Sequence, residues 1–170
     1  AIQLRQTHQF KPKILLMSTL CTPEQCKQLS TYDIDWVLFN TCQIQALKAC
    51  QLLPHPIKLW IKIDTGLNRL GFKPKDLNNV MEQLASLSGC AEPYVMMTHL
   101  AEAEQPHFHF TQQQITLFME AAKKYKLPLS IANSAALFNH SQYLGDWIRP
   151  GIMLYGASSL PNRSGEMLDL

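Results

Sequence analysis

The chain has 170 residues, a formal net charge of +2 and only 16% charged residues. That length holds one domain with a sizeable core, but a complete eight-stranded α/β barrel takes about 250 residues. The near-neutral balance gives neither a basic stripe for nucleic acid nor an acidic tail, no signal peptide opens the chain, and no apolar run is long enough to cross a bilayer.

In chain order, Ala1 to Arg5 reads as the tail of a helix whose beginning lies outside these residues. KILLMS, Lys13 to Ser18, is the first strand. Thr22-Pro23-Glu24-Gln25 is a helix start, with Thr as N-cap, Pro at the first helical position and Gln at the third; that helix reaches about Ser30. DWVLFN, Asp35 to Asn40, is the second strand. A helix from about Cys42 to Leu52 follows, closed by Pro54 and Pro56. Lys58 to Asp64 is the third strand. Pro74 to Leu87 carries Leu77, Val80, Met81, Leu84 and Leu87 at helical spacing. YVMMTH, Tyr94 to His99, is the fourth strand. Thr111 and Gln114 suggest a second capping box, opening a helix to about Lys126 whose terminal lysines suit the helix dipole. Leu129 to Ala132 is the fifth strand, and Trp147 to Leu154 contains a sixth. Strict βα alternation of this kind predicts a parallel sheet with helices outside.

The cysteines are Cys21, Cys26, Cys42, Cys50 and Cys90. An odd number with no CxxC pair argues against a disulfide scaffold or a structural zinc site and for reduced thiols in a cytoplasmic protein. His107-Phe108-His109 lies near Glu102 and Glu104, but no metal-ligand spacing is met, so this stretch reads as a solvated loop with no metal.

The most informative stretch is Lys58 to Phe72, KLWIKIDTGLNRLGF. An apolar run ends at the turn signal Asp64-Thr65-Gly66, yet Lys62 stands inside it and Arg69 just beyond. A lysine in a buried strand is costly unless it is paired, shifted or modified; on an edge strand its amine would simply reach water. Asp64 reads as the residue that caps the turn. Later in the chain, Asn133-Ser134 and Arg149-Pro150-Gly151-Ile152 follow the last two strands. On residue types alone, these are either a helix cap and a turn, or an anion site built from a hydroxyl, backbone N–H groups and a glycine that permits close approach.

KIDTGLNRLGF resembles the KxDTGxxRLGF signature of alanine racemases. Met97-Thr98-His99-Leu100-Ala101, Ala132-Asn133-Ser134-Ala135-Ala136 and Ile148-Arg149-Pro150-Gly151-Ile152, running on to Tyr155-Gly156, resemble further stretches of that family in the same order. The resemblance implies a (β/α)8 TIM-barrel domain, incomplete here with about six of eight βα units. Residues 1–157 would be the barrel portion, and 158–170 the start of a linker to a carboxy-terminal β domain.

The resemblance also implies a pyridoxal 5'-phosphate enzyme, an isomerase that interconverts L-alanine and D-alanine for peptidoglycan. The complete protein would be a cytoplasmic homodimer with a small-molecule substrate and no nucleic-acid or membrane partner. Ser134, Gly151 and Ile152 would hold the cofactor phosphate, and Asn133 would also belong to the cofactor site. Arg149 would face the pyridine nitrogen, and His99 would pack against the ring and help position Arg149. Arg69 would pair with the substrate carboxylate, and Lys62 resembles a lysine carried as a carbamate. The family's Schiff-base lysine, in an AYGHG-like context, and its second-base tyrosine are not among these residues, so this stretch alone is expected to be inactive. A noncatalytic barrel that carries pyridoxal phosphate, and a racemase of serine or other small amino acids, are the competing readings.

Overall fold

The computed structural model describes residues 1–7, 11–18, 22–50, 52–87, 89–105 and 109–170. Helix α1 spans Ile2–Thr7 and β1 spans Ile14–Leu16. Helix α2, Pro23–Thr31, starts as its sequence predicts: the Thr22 hydroxyl accepts from the Gln25 N–H, and the Gln25 side chain accepts from the Thr22 N–H. After β2, Ile34–Leu38, a second capping box opens α3, Thr41–Lys48. Here Asn40 is the cap and Gln43 its partner. Asn40, expected at the end of a strand, belongs to the helix that follows.

β3 is Ile57–Lys62, α4 is Leu77–Ala85 after a 3-10 turn at Pro74–Asp76, and β4 is Ala91–Met97. Helix α5, His109–Ala122, begins before Thr111, so Thr111 and Gln114 lie inside the helix and form no capping box. His107 and Phe108 lie outside the described residues. β5 is the short Leu129–Ser130, and α6 is Ser134–Asn139.

Among the described residues the sheet has five strands, in the unbroken order β1-β2-β3-β4-β5, with all four neighbouring pairs parallel. Right-handed crossovers in a sheet that never reverses direction put every helix on the same face. This is the winding of a barrel rather than of an open, doubly wound sheet, and the molecule is an incomplete α/β barrel.

The expected sixth strand does not form. Trp147 and Arg149 donate backbone bonds to Leu129 and Ala132, and Asn133 and Arg149 make one isolated parallel bridge. Pro150 has no N–H to extend the ladder, and Gly151 turns at φ +48°, so the chain enters a 3-10 turn over Gly151–Tyr155.

Two cores follow from the period-2 alternation of the strands. Ile34, Trp36 and Leu38 of β2 and Ile57, Leu59 and Ile61 of β3 pack outward against Leu29, Ile44, Leu47, Leu84 and Phe118 of the helices. Each such burial contributes roughly 1.5–3 kcal/mol. The opposite face holds a smaller cluster of Val37, Phe39, Trp60, Val95 and Met97, with Trp147 packed against it. Trp60 and Trp147 meet edge to face at 5.4 Å, and the Trp60 indole N–H bonds Asp35 at 3.3 Å.

Cys26, Cys50 and Cys90 are free thiols, with burial pushing Cys26 up to about 12. Cys42 is disulfide-bonded, which corrects the expectation of reduced thiols throughout; spacing along a chain does not report which sulfurs the fold brings together. Cys21 lies outside the described residues.

Gly71 closes the loop after β3. The Asp64 N–H bonds the Phe72 carbonyl at 2.8 Å and the Phe72 N–H bonds that of Lys62 at 2.9 Å. Gly71 has φ +130°, and a Cβ there would stand 2.7 Å from the Asp64 nitrogen. Gly71→Ala is therefore expected to destabilise the fold by about 1–3 kcal/mol, the usual cost of a forced backbone conformation. A urea titration that left the midpoint unchanged would contradict this.

Candidate functional site at the carboxyl ends of the strands

β3 is the central strand of the sheet, and Lys62 at its carboxyl end is only 5% exposed. The edge-strand reading of this lysine is overturned. Lys58, Trp60 and Lys62 share the inner face, with Lys62 uppermost. Lys62 opens onto a cleft of about 630 Å³ that Arg69, His99, Arg149 and Gly151 also line. Five residues singled out in the sequence, from three separate stretches, thus converge.

The electrostatics of the cleft are one-sided. Burial, reinforced by Arg149 and Arg69, pushes Lys62 down to about 8, so a minor fraction of it is neutral amine at neutral pH and the rest is still charged. Burial and the same cations, with Lys62, push His99 down to about 4 and keep its imidazole neutral. Asp64, whose charge acts against theirs on Lys62, is largely engaged elsewhere. Its Oδ1 accepts from the Gly66 and Asn68 N–H groups at 3.1 and 3.0 Å, and its Oδ2 pairs with Lys73 at 2.8 Å. Burial alone would raise its pKa, but the Lys73 bond and the two backbone bonds outweigh it and hold the carboxyl below the usual range. Asp64 is the turn residue that its sequence suggests, and the cleft keeps a positive excess suited to an anion.

Arg149 is held from below. One terminal nitrogen donates to the Ser130 hydroxyl, which donates onward to the Trp147 carbonyl at 2.7 Å. The other donates to the Thr98 carbonyl at 2.5 Å and the Ile131 carbonyl at 3.3 Å. Burial brings the guanidinium down to about 10, still protonated at neutral pH. The described bonds of the Arg149 side chain go to Ser130, Thr98 and Ile131 and none to His99, which adjoins it in the cleft.

Beside this lies a second hollow of about 270 Å³, whose lining includes His99, Asn133, Ser134, Arg149, Gly151, Ile152 and one carboxylate, Glu104. Asn133 caps α6, its Oδ1 accepting from the Ala136 N–H at 3.0 Å. The Ser134 hydroxyl donates to the Pro150 carbonyl, tying α6 to the Arg149–Gly151 turn. Gly151 lies at φ +48°, where a side chain is disfavoured, and a Cβ there would stand 3.2 Å from that hydroxyl.

Sequence reasoning missed the layer beneath the site. Gln114, Thr98 and Ser130 are fully buried and Thr65 nearly so. Polar residues buried within apolar periodic stretches were the available signal, since such groups survive only with partners.

The chain matches the family described as "Alanine racemase, N-terminal domain" over residues 1–159. The chain belongs to that family. Alanine racemase from Legionella pneumophila (strain Lens) is 38% identical over 170 residues, which is 100% of this chain and 47% of that protein. The chain thus spans about half the length of the curated alanine racemases it matches. The biosynthetic alanine racemase of Pseudomonas aeruginosa superposes with a TM-score of 0.88 at 31% identity, covering 99% of this chain and 46% of the other. The alanine racemase of Bartonella henselae, solved with covalently bound pyridoxal phosphate, shares the fold at a TM-score of 0.77 and 24% identity, covering 92% and 46%.

The His99 environment predicts a pH dependence of this racemase-family fold. The folded state holds the imidazole at about 4, below its ordinary 6.5, so between these values the unfolded chain binds more protons. The stability that His99 contributes is present above pH 6.5 and is lost as pH falls towards 4. His99→Asn should flatten this part of the profile, read as urea midpoints across that range. An unchanged slope would remove the assignment.

Proposed function

We propose that the chain is the cofactor-binding barrel portion of a pyridoxal-phosphate-dependent alanine racemase, interconverting L-alanine and D-alanine for peptidoglycan precursors. The observation that carries this reading is the convergence of Lys62, Arg69 and Arg149 around a neutral His99, next to the Ser134–Gly151 hollow. The complete protein would be a cytoplasmic homodimer, with residues 158–170 leading towards a β domain. The Schiff-base lysine and the tyrosine base would come from its other segments.

The residues fit the cofactor. The hollow is lined by Gly151, whose missing side chain lets a ligand approach the backbone closely, and an adjoining cluster of cations suits a phosphate monoester. Asn133, Ser134, Gly151 and Ile152 would hold the phosphate, with His99 against the ring. When bound, the pyridoxal group supplies an electron sink for the carbanion left by loss of the α-proton. Arg149 keeps its own protons at neutral pH, so facing the pyridine nitrogen it would offer only N–H donors and give up no proton. That would temper the sink and favour return of a proton over side reactions. Arg69 would take the substrate carboxylate with its planar fork.

Lys62 would act through Arg69. As a neutral amine it can attack carbon dioxide, forming an N–C bond and releasing one proton, and the carbamate product is an anion able to hold Arg69. This turns a buried cation into a partner for the cluster. A noncatalytic carrier of the cofactor would have no use for Arg69 in the cleft, and choice between alanine and serine would rest on segments beyond these residues.

Arg69→Lys in the complete protein should lower kcat/KM for alanine about ten- to a hundredfold, the worth of one charge-assisted bond of about 1.5–3 kcal/mol. Racemisation followed by circular dichroism of the amino acid checks this, and full activity would remove the carboxylate role. Lys62→Ala should reproduce part of the loss, with partial recovery in added acetate. The double variant should lose less than the two single losses combined. Independent, additive losses would uncouple the two residues.

A further inference from the structure

Resting on the proposed racemase reading, we infer that Gln114 is a positioning residue that sets the placement of His99 directly and of the Arg149 support through Thr65 and Thr98. Gln114 is fully buried on the inner side of α5, beneath the carboxyl ends of β3 and β4. Its Oε1 accepts the Ala101 N–H at 2.9 Å, and its Nε2 donates to the His99 carbonyl at 3.3 Å. One primary amide thus grips the backbone on either side of Leu100. The partners also dictate which end is which: turning the amide over would set its NH2 against the Ala101 N–H and its oxygen against the His99 carbonyl.

The same Nε2 reaches Thr65 Oγ1 at 3.4 Å, and from there the bonds have only one consistent direction. Thr98 Oγ1 donates to the Ile63 carbonyl at 3.0 Å, which uses its single proton. In the 2.9 Å contact between the two hydroxyls, Thr65 must therefore donate to Thr98. That leaves Thr65 to accept from Gln114. The chain of donors runs Gln114 to Thr65 to Thr98 to the end of β3. Thr98 in turn offers its carbonyl to Arg149. An apolar residue at 114 would fill the space between α5 and the sheet but take their partner from the Ala101 N–H and the His99 carbonyl. What only an amide supplies is direction, since it fixes the His99–Ala101 backbone and the Thr98 carbonyl relative to one another. Loops that carry reacting groups need such support from rigid elements.

The test uses the complete protein with Gln114→Met, which keeps length and removes both polar ends, and Thr65→Val, which cuts only the branch to Thr98. The direct readout is the titration of the His99 imidazole by NMR, assigned with His99→Asn. It needs no catalytic activity. In Gln114→Met the His99 titration should move up by one pH unit or more towards the ordinary range as the ring gains water. With cofactor bound, kcat should fall about ten- to a hundredfold while KM for alanine stays within about threefold. Thr65→Val should shift both in the same direction by less. A folded Gln114→Met with the wild-type His99 titration overturns the inference, even if kcat falls. Should Gln114→Met fail to fold, an unmoved titration in Thr65→Val overturns it. If the unmodified protein binds pyridoxal phosphate but racemises nothing, the functional reading fails and the His99 titration still decides the role of Gln114.

Discussion

Alternation along β3 is the constraint on which the rest depends. Ile57, Leu59 and Ile61 face the helices, so Lys58, Trp60 and Lys62 must face inward. Because β3 lies at the centre of a singly wound sheet, that inward face is covered rather than open at an edge. The lysine is thereby forced into a place where its charge is disfavoured. Two more cations, Arg69 and Arg149, make it worse. Asp64 relieves this only in part, since it is spent on its turn and on Lys73. A cluster of like charges held together by a strong apolar framework is stable only because the framework contributes more than the charges cost, and such strain is a mark of sites built to meet an anion.

Much of the scaffold was legible in the sequence. Thr22 and Gln25 announce α2 because a capping box is a local device, decided within four residues. Thr111 and Gln114 carry the same spelling and mean something else. Both face inward, the Thr111 hydroxyl donating to the Glu102 carbonyl and Gln114 to the strand ends. Only tertiary packing distinguishes the two cases. Trp147 to Leu154 was misjudged for a related reason. Its apolar content suits a strand, but Pro150 and Gly151 cut the ladder after a single bridge. The parallel sheet itself could be read from βα alternation, because each strand–helix repeat leaves its own periodicity.

The site was legible in a different way. Nothing in the periodicity of the chain links Lys62, Arg69, His99 and Arg149. Their grouping came from family resemblance, and the cleft that joins them is a property of the folded sheet. The buried amide and hydroxyl layer beneath was legible in neither way. Thr65, Thr98 and Gln114 look like ordinary polar residues near element ends, and their joint role depends on side-chain direction.

The bond from Arg149 to the Thr98 carbonyl joins residues 51 positions apart. Contacts that distant form only after the loop between them has closed, and they come late in folding. During synthesis from the amino end, β1 to β4 can pair and bury their outer face while residue 149 is still within the ribosome. The inner face above Trp60 then stands open to water. The Arg149 charge, one of the two cations that weigh on Lys62, is then still absent. Arrival of the Arg149 segment adds a wall of the cleft and a charge beside the lysine together, so a nascent chain stalled short of that segment would hold a sheet with an unfinished site.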